Sequence, residues 1–226
     1  MSDTIKLAIA IPTAGMVRAG FAYSLAGAIG RLTQGISTRP ESGIEIAVDM
    51  QESTVIHSNR ELLAKRALTS GKTHILFIDD DMSFEPQVLD IMLGRRQPVV
   101  AVNYLIKKFP PEFVAVAENG RRIITDDKSA GLQEIAYTGF GVSLFETQVF
   151  AKTPQPWFQP EFVPEADSYT TEDNPFYRRV REAGFKCYID HDASKLVTHI
   201  GGTVSWTYKQ YVRPSPPDLK IVKEAV

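Results

Sequence analysis

Apolar runs and apolar helical faces alternate along the first half of the chain. Leu7-Ala8-Ile9-Ala10-Ile11, closed by Pro12-Thr13, predicts a first buried strand. The stretch from Val17 to Leu32 is rich in Ala and Leu and predicts a helix, with some glycine interruption. Ile44-Glu45-Ile46-Ala47-Val48 predicts a second strand. A helix follows over Asn59 to Leu68, where Leu63 and Ala67, and Ala64 and Leu68, share one face and Gly71 can end it. His74-Ile75-Leu76-Phe77-Ile78 predicts a third strand, apolar almost throughout, as a central parallel strand covered on both faces should be. Ser83 is placed to cap the next helix, with Glu85 and Pro86 in its first turn and Val88, Leu89, Ile91, Met92 and Leu93 as its apolar face. Pro98 to Val102 predicts a fourth strand. Such alternation predicts an α/β fold with a mostly parallel sheet and helices on both faces.

The second half changes character. Phe113–Ala117, Arg121–Thr125 and Leu132–Tyr137 read as short strands between Gly and Asp turns, and Gly139–Phe145 as a further strand. This predicts a smaller antiparallel portion. Pro154 to Pro164 reads as an irregular loop, Thr171–Ala183 as a helix with Phe176, Tyr177 and Val180 inward, and Cys187–Ile189 as a last strand. From Thr203 the pattern fades. The reading is one domain over 1–202 and a tail over 203–226.

Composition narrows the class. A chain of 226 residues with 43% hydrophobic and 23% charged residues can bury a substantial core. A formal net charge of -2 argues against binding nucleic acid by bulk electrostatics. Arg95-Arg96, Lys107-Lys108, Arg121-Arg122 and Arg178-Arg179 remain as pieces of local basic surface. Cys187 is the single cysteine, in an apolar strand-like context, and reads as a buried structural thiol. No signal-peptide pattern opens the chain, and no apolar run reaches the roughly 20 residues of a membrane span. A soluble, cytoplasmic protein is expected.

The sharpest chemical feature is Asp79-Asp80-Asp81 at the carboxyl end of the third strand. Ligands of open α/β sheets bind beyond that end. Adjacent carboxylates repel one another, and a divalent cation such as Mg²⁺ or Mn²⁺ would compensate them and bridge a diphosphate. The plain alternative is a solvated turn. His199, in Val197-Thr198-His199-Ile200-Gly201-Gly202, can add an imidazole ligand, although a lone histidine is more often structural. Glu172-Asp173 opens a helix, where carboxylates are favoured electrostatically and one can act as general base. Gly139-Phe140-Gly141 suits a strand start beside a ligand, or simply a bulge. No GxxxxGK[ST] phosphate loop exists.

Taken in order, these pieces resemble the GT-A glycosyltransferases, especially the family-2-like group and its short soluble phage and bacterial members. The resemblance rests on Pro12-Thr13, Asn59-Arg60, Asp79-Asp80-Asp81 (a DxD motif), Gly139-Phe140-Gly141, Glu172-Asp173 and His199, and covers roughly Ile5 to Gly202. It implies a nucleotide pocket lined by Pro12, Thr13, Asn59 and Arg60, with Asp79 or Asp80 near the ribose or the metal's water shell. Asp81 would bind the metal directly, with Asp79 and His199 as further candidates. Gly139 and Gly141 would border the sugar, and Asp173, beside Glu172, would be the base of an inverting transfer. Asp49 is the loose match for a base-contacting acidic residue, and a UDP-sugar is the favoured donor. The resemblance leaves the acceptor as a saccharide or a nucleic-acid base. Trp206, with Tyr208 and Tyr211, suggests a tail that folds over the donor. The competing readings are a sugar-phosphate nucleotidyltransferase, whose glycine-rich first loop this chain lacks, and a non-catalytic nucleotide-sugar-binding protein.

Overall fold

The computed structural model describes residues 4–38, 43–201 and 205–211. The chain runs β1 (Ile5–Thr13), α1 (Ala19–Thr38), β2 (Ile44–Glu52), α2 (Ile56–Thr69), β3 (His74–Ile78), β4 (Met82–Phe84), α3 (Val88–Gly94) and β5 (Val99–Ala101). It continues through β6 (Leu132–Glu134), β7 (Val142–Glu146), α4 (Thr147–Lys152), β8 (Phe162–Val163), β9 (Ser168–Tyr169), α5 (Asp173–Glu182), β10 (Tyr188–Asp190), α6 (His191–Ser194), β11 (Val197–Ile200) and β12 (Ser205–Trp206). A seven-stranded sheet has the order β2-β1-β3-β7-β5-β10-β6. Five of these strands run one way; β7, wedged between β3 and β5, and β6 at the edge run against them.

Strand alternation divides the core in two. Ala8, Ala10, Ile75, Phe77, Val99 and Phe145 point to one face, where α2, α4 and α5 cover them. Leu7, Ile9, Leu76, Ile78, Val100 and Leu144 point to the other, under α1 and α3. That period of two, with both faces covered, is why β1, β3 and β5 are apolar almost throughout. The first core is dominated by aromatic rings. Phe176 of α5 stacks on Phe158 with centroids 4.8 Å apart, and Phe140 sits edge-on to Phe77, Phe158 and Phe176. This cluster fixes α5, and with it the position of Glu172 and Asp173.

Several expectations need correction. Ser83 caps no helix. Met82–Phe84 is a strand paired with β11, with Ser83 opposite Thr198, and α3 starts only at Val88. Cross-strand pairing outweighs the local capping signal there. The stretches 113–117 and 121–125 form isolated bridges, Leu105↔Phe113 and Val116↔Arg122, rather than ladders. Leu132–Tyr137 shortens to Leu132–Glu134. His199 lies within a strand, β11, which local pattern had not revealed. The helices expected over 59–68 and 171–183 are present, with Leu63, Ala64 and Ala67, and Phe176, Tyr177 and Val180, buried as expected. Cys187 is fully buried, and burial pushes its thiol up to about 12, as suits a structural residue. No helix among the described residues is long and apolar enough to cross a membrane. Of the 203–226 tail, only 205–211 lies within the described residues.

Phe176→Ala should remove the stacked ring that anchors α5. It is expected to cost about 3–5 kcal/mol in urea unfolding, the range for a buried aromatic truncated in a packed core. Phe176→Leu should cost clearly less.

Candidate active site

The chain leaves β1 toward β2 and leaves β3 toward β5, so the sheet's switch point lies between β1 and β3. Crevices beyond the carboxyl ends of strands at such a point receive ligands. A cleft of about 240 Å³ lies there, lined by Pro12, Ile56, Arg60, Asp79, Asp80, Asp81, Tyr104 and His199. Larger clefts exist elsewhere, such as one of about 300 Å³ between α2 and residues 156–159, but this one gathers the carboxylates.

Arg60 is its organising residue. Leu63, Ala64 and Ala67 bury the inner face of α2, and this carries Arg60, one turn earlier, to the sheet edge with its side chain only 5% exposed. One guanidinium nitrogen donates to Asp79 Oδ1 at 2.6 Å, and another pairs with Glu172. Its Cζ lies over the Phe140 ring, 4.9 Å from the centroid. Burial opposes Arg60's charge, but Asp79, Glu172 and Asp173 together raise its pKa above the usual arginine value. Burial likewise raises Asp79 above the ordinary carboxylate range, with Asp81 and Glu172 adding to the shift and Arg60 opposing it. Asp173, the first residue of α5, is pushed up to about 7 by burial, with Glu172 and Asp79 reinforcing and Arg60 opposing. A carboxylate at that value exchanges a proton near neutral pH, as a general base must.

Asp81 has the reverse balance. Burial disfavours its charge, but His199 and Lys107 hold its pKa down at about 2. Lys107 Nζ pairs with Asp81 Oδ2, and His199 Nε2 lies 3.4 Å from the same oxygen. The β4–β11 ladder sets this geometry: Met82 is opposite His199, and the Ile200 amide donates to the Asp81 carbonyl at 2.7 Å. His199 Nδ1 is 2.8 Å from the Leu105 carbonyl, which can only accept, so Nδ1 carries a proton. In the neutral ring the Nε2 lone pair then faces Asp81. An imidazole oriented by a backbone carbonyl is the usual support of a metal-ligating histidine. Among the described residues no group of three His, Cys, Asp or Glu side chains is arranged to hold a cation alone. Two adjacent donors still fit an ion that keeps waters and takes its other ligands from a substrate phosphate.

The remaining expected residues divide clearly. Thr13 and Asn59 turn inward: the Asn59 amide donates to the Ser53 carbonyl at 2.9 Å and the Thr13 carbonyl at 3.4 Å, tying the ends of β1 and β2 together. Asp49 lies off the cleft on the edge strand β2, where it accepts from Arg66 at 3.2 Å. Gly139 and Gly141 are buried behind Tyr104. A Cβ on Gly141 would come within 2.6 Å of Tyr104 Cε1 and 3.1 Å of Met82 Sδ, so absence of a side chain lets this ring enter the cleft wall. Trp206 is the cross-strand partner of His199 and shares its face of the ribbon. Tyr208 donates to Asp127 at 2.9 Å, and Tyr211 packs 5.1 Å from Phe113. Sequence reasoning missed Tyr104 and the role of Lys107. Both follow the end of β5, and the rule that loops beyond strand ends carry ligands was the signal that pointed to them.

No protein-family model matches the chain, and no curated protein matches it in sequence. Solved structures do. The crystal structure of A197 from STIV superposes with a TM-score of 0.57 at 15% identity, covering 92% of both chains. This likeness is one of fold. The structure of S. aureus TarS 1-349 aligns with a TM-score of 0.46 at 13% identity, over 83% of this chain and 58% of that one. The architecture is the α/β arrangement expected from the sequence, a mostly parallel sheet with helices on both faces and a smaller antiparallel portion.

Asp173 gives a test with a defined sign. Its pKa is about 7 in the folded chain, against an ordinary 3.8. Ionising it therefore costs stability fully above pH 7, progressively less as pH falls, and nothing below about 4. Asp173→Asn should raise the melting temperature at pH 8, and the gain should vanish by about pH 4. A gain independent of pH would contradict the assignment.

Proposed function

We propose that this protein is a metal-dependent glycosyltransferase that moves a sugar from a nucleoside-diphosphate donor, with UDP favoured, to a hydroxyl acceptor. The observation that carries the reading is that Arg60 joins Asp79, beside the Asp81 turn, to Glu172, beside Asp173, and so flanks one ion-pair network with two unlike carboxylates. Asp81 is held ionised beside a correctly oriented imidazole, while Asp173 is held near neutrality by burial. Environments that push two carboxylates apart in this way separate a charge-binding role from a proton-transfer role.

Asp81 and His199 would hold Mn²⁺ or Mg²⁺, which would neutralise charge on the diphosphate leaving group. The bond between the sugar's anomeric carbon and the diphosphate oxygen breaks, and a new bond forms to the acceptor oxygen. Asp173 takes the hydroxyl proton as the acceptor attacks. Arg60 keeps Asp79 and Glu172 in place on the donor and acceptor sides. The charge balance supports a cation requirement. Asp79, Asp80 and Asp81 line the cleft, and the Lys and Arg side chains paired with these carboxylates and with Glu172 among the described residues are Arg60 and Lys107. An anionic diphosphate entering alone would meet net repulsion.

Thermal shift with UDP-, GDP- and TDP-sugars, with and without Mn²⁺, tests the reading. One nucleotide sugar is expected to raise the melting temperature only when Mn²⁺ is present, because a ligand of the native state stabilises it by mass action. Asp81→Ala should abolish that dependence. A response to a nucleoside triphosphate and to no nucleotide sugar would favour nucleotidyl transfer instead.

A further inference from the structure

The two cations of the cleft are held very differently. Arg60 is 5% exposed, placed over the Phe140 ring, and committed through separate nitrogens to Asp79 and Glu172. Moving it would leave two partly buried carboxylates without partners. Lys107 has one carboxylate partner, Asp81, and its side chain is 33% exposed. It lies in the segment between β5 and β6, with the Ile106 amide bonded to the Glu112 carbonyl at 2.9 Å and Lys108 paired with Glu112 across the turn. Its root is therefore anchored while its four-carbon stem can swing. An ammonium is also a compact charge with three rotatable donors, able to exchange one oxyanion for another, which a bidentate guanidinium does poorly.

The oxygen that Lys107 holds, Asp81 Oδ2, is the one facing His199 Nε2. A divalent ion ligated by Asp81 and His199 would bring a second positive charge to the same oxygen. Lys107 and the ion therefore compete for Asp81, and the donor's diphosphate is the anion that arrives with the ion.

We propose that Lys107 is the diphosphate-binding cation of the protein: its ammonium holds Asp81 in the free enzyme and transfers to the donor's diphosphate when a divalent ion takes Asp81. This rests on the metal-dependent reading above. Lys107 remains protonated throughout, donating hydrogen bonds and no proton. As the bond between sugar and diphosphate breaks, the electron pair stays on the diphosphate oxygen, and Lys107 stabilises the charge left there.

The two halves of the exchange predict opposite changes in one variant. Calorimetric titration of the full chain with Mn²⁺ alone should show Lys107→Met binding on the order of ten times more tightly than wild type, because the competing charge is gone. Titration with UDP at saturating Mn²⁺ should show the same variant binding on the order of ten times more weakly. Lys107→Gln, which keeps a polar stem, should behave like Lys107→Met, and thermal melting of the apo proteins checks that both variants fold. Unchanged Mn²⁺ affinity would overturn the competition at Asp81. Unchanged UDP affinity would overturn the contact with the diphosphate. If wild type and variants all fail to bind Mn²⁺, the metal-dependent reading falls and the exchange falls with it. Mn²⁺ binding that is indifferent to Lys107 removes the exchange alone.

Discussion

One buried guanidinium holds the two sides of the cleft together. Arg60 reaches from α2 to Asp79 at the end of β3 and to Glu172 at the start of α5. Those segments are far apart in sequence and are also joined beneath the cleft by ring contacts from Phe77 through Phe140 and Phe158 to Phe176. Burying an arginine is costly unless its charge is paired, and removing one partner of such a set leaves a buried charge uncompensated. The position of α2 is in turn secured by Leu63, Ala64 and Ala67 in the aromatic core, and that of α5 by Phe176 and Tyr177 in the same core. Packing thus sets the distance between Asp79 and Glu172, and Arg60 makes that distance electrostatically stable.

Internal cations also change the meaning of the acidic cluster. Three consecutive aspartates suggest an empty cation site, yet each is treated differently. Asp79 belongs to Arg60, Asp81 is shared by Lys107 and His199, and the Asp80 carbonyl receives the Arg18 amide at 3.2 Å. The free protein is therefore not held apart by repulsion in this turn. In the proposed transfer, a divalent ion would add the charge needed to admit a diphosphate. The contrast between Asp81, held well below the usual carboxylate range, and Asp173, raised to about 7, follows from the same geometry: one lies against Lys107 and His199, the other is desolvated beside like charges.

Much of the frame was legible because it is written locally. β1, β3 and β5 are apolar on both faces, and a cleft opens directly after β3, where a sheet of this class places its ligand crevice. The failures were non-local. Ser83 carries a capping signal, but Thr198, over a hundred residues on, pairs with it in a ladder. Gly139 and Gly141 read as ligand-facing, while their partner is the Tyr104 ring, supplied by another strand's end. Asn59 and Arg60 are adjacent and looked alike in role. Helix geometry turns Asn59 to backbone carbonyls of the β1 and β2 ends and Arg60 to the cleft. The pairing of Arg60 with Glu172 has no local signature at all.

The dependence of the site on Arg60 is measured most directly by a double-mutant cycle on its two acceptors. Asp79→Asn, Glu172→Gln and the double variant would be compared by urea unfolding at pH 8. If one guanidinium serves both carboxylates, the two substitutions should be coupled by about 1–3 kcal/mol, as for members of one ion-pair network. Additivity within about 0.5 kcal/mol would mean that the two sides of the cleft are held independently, contradicting the account.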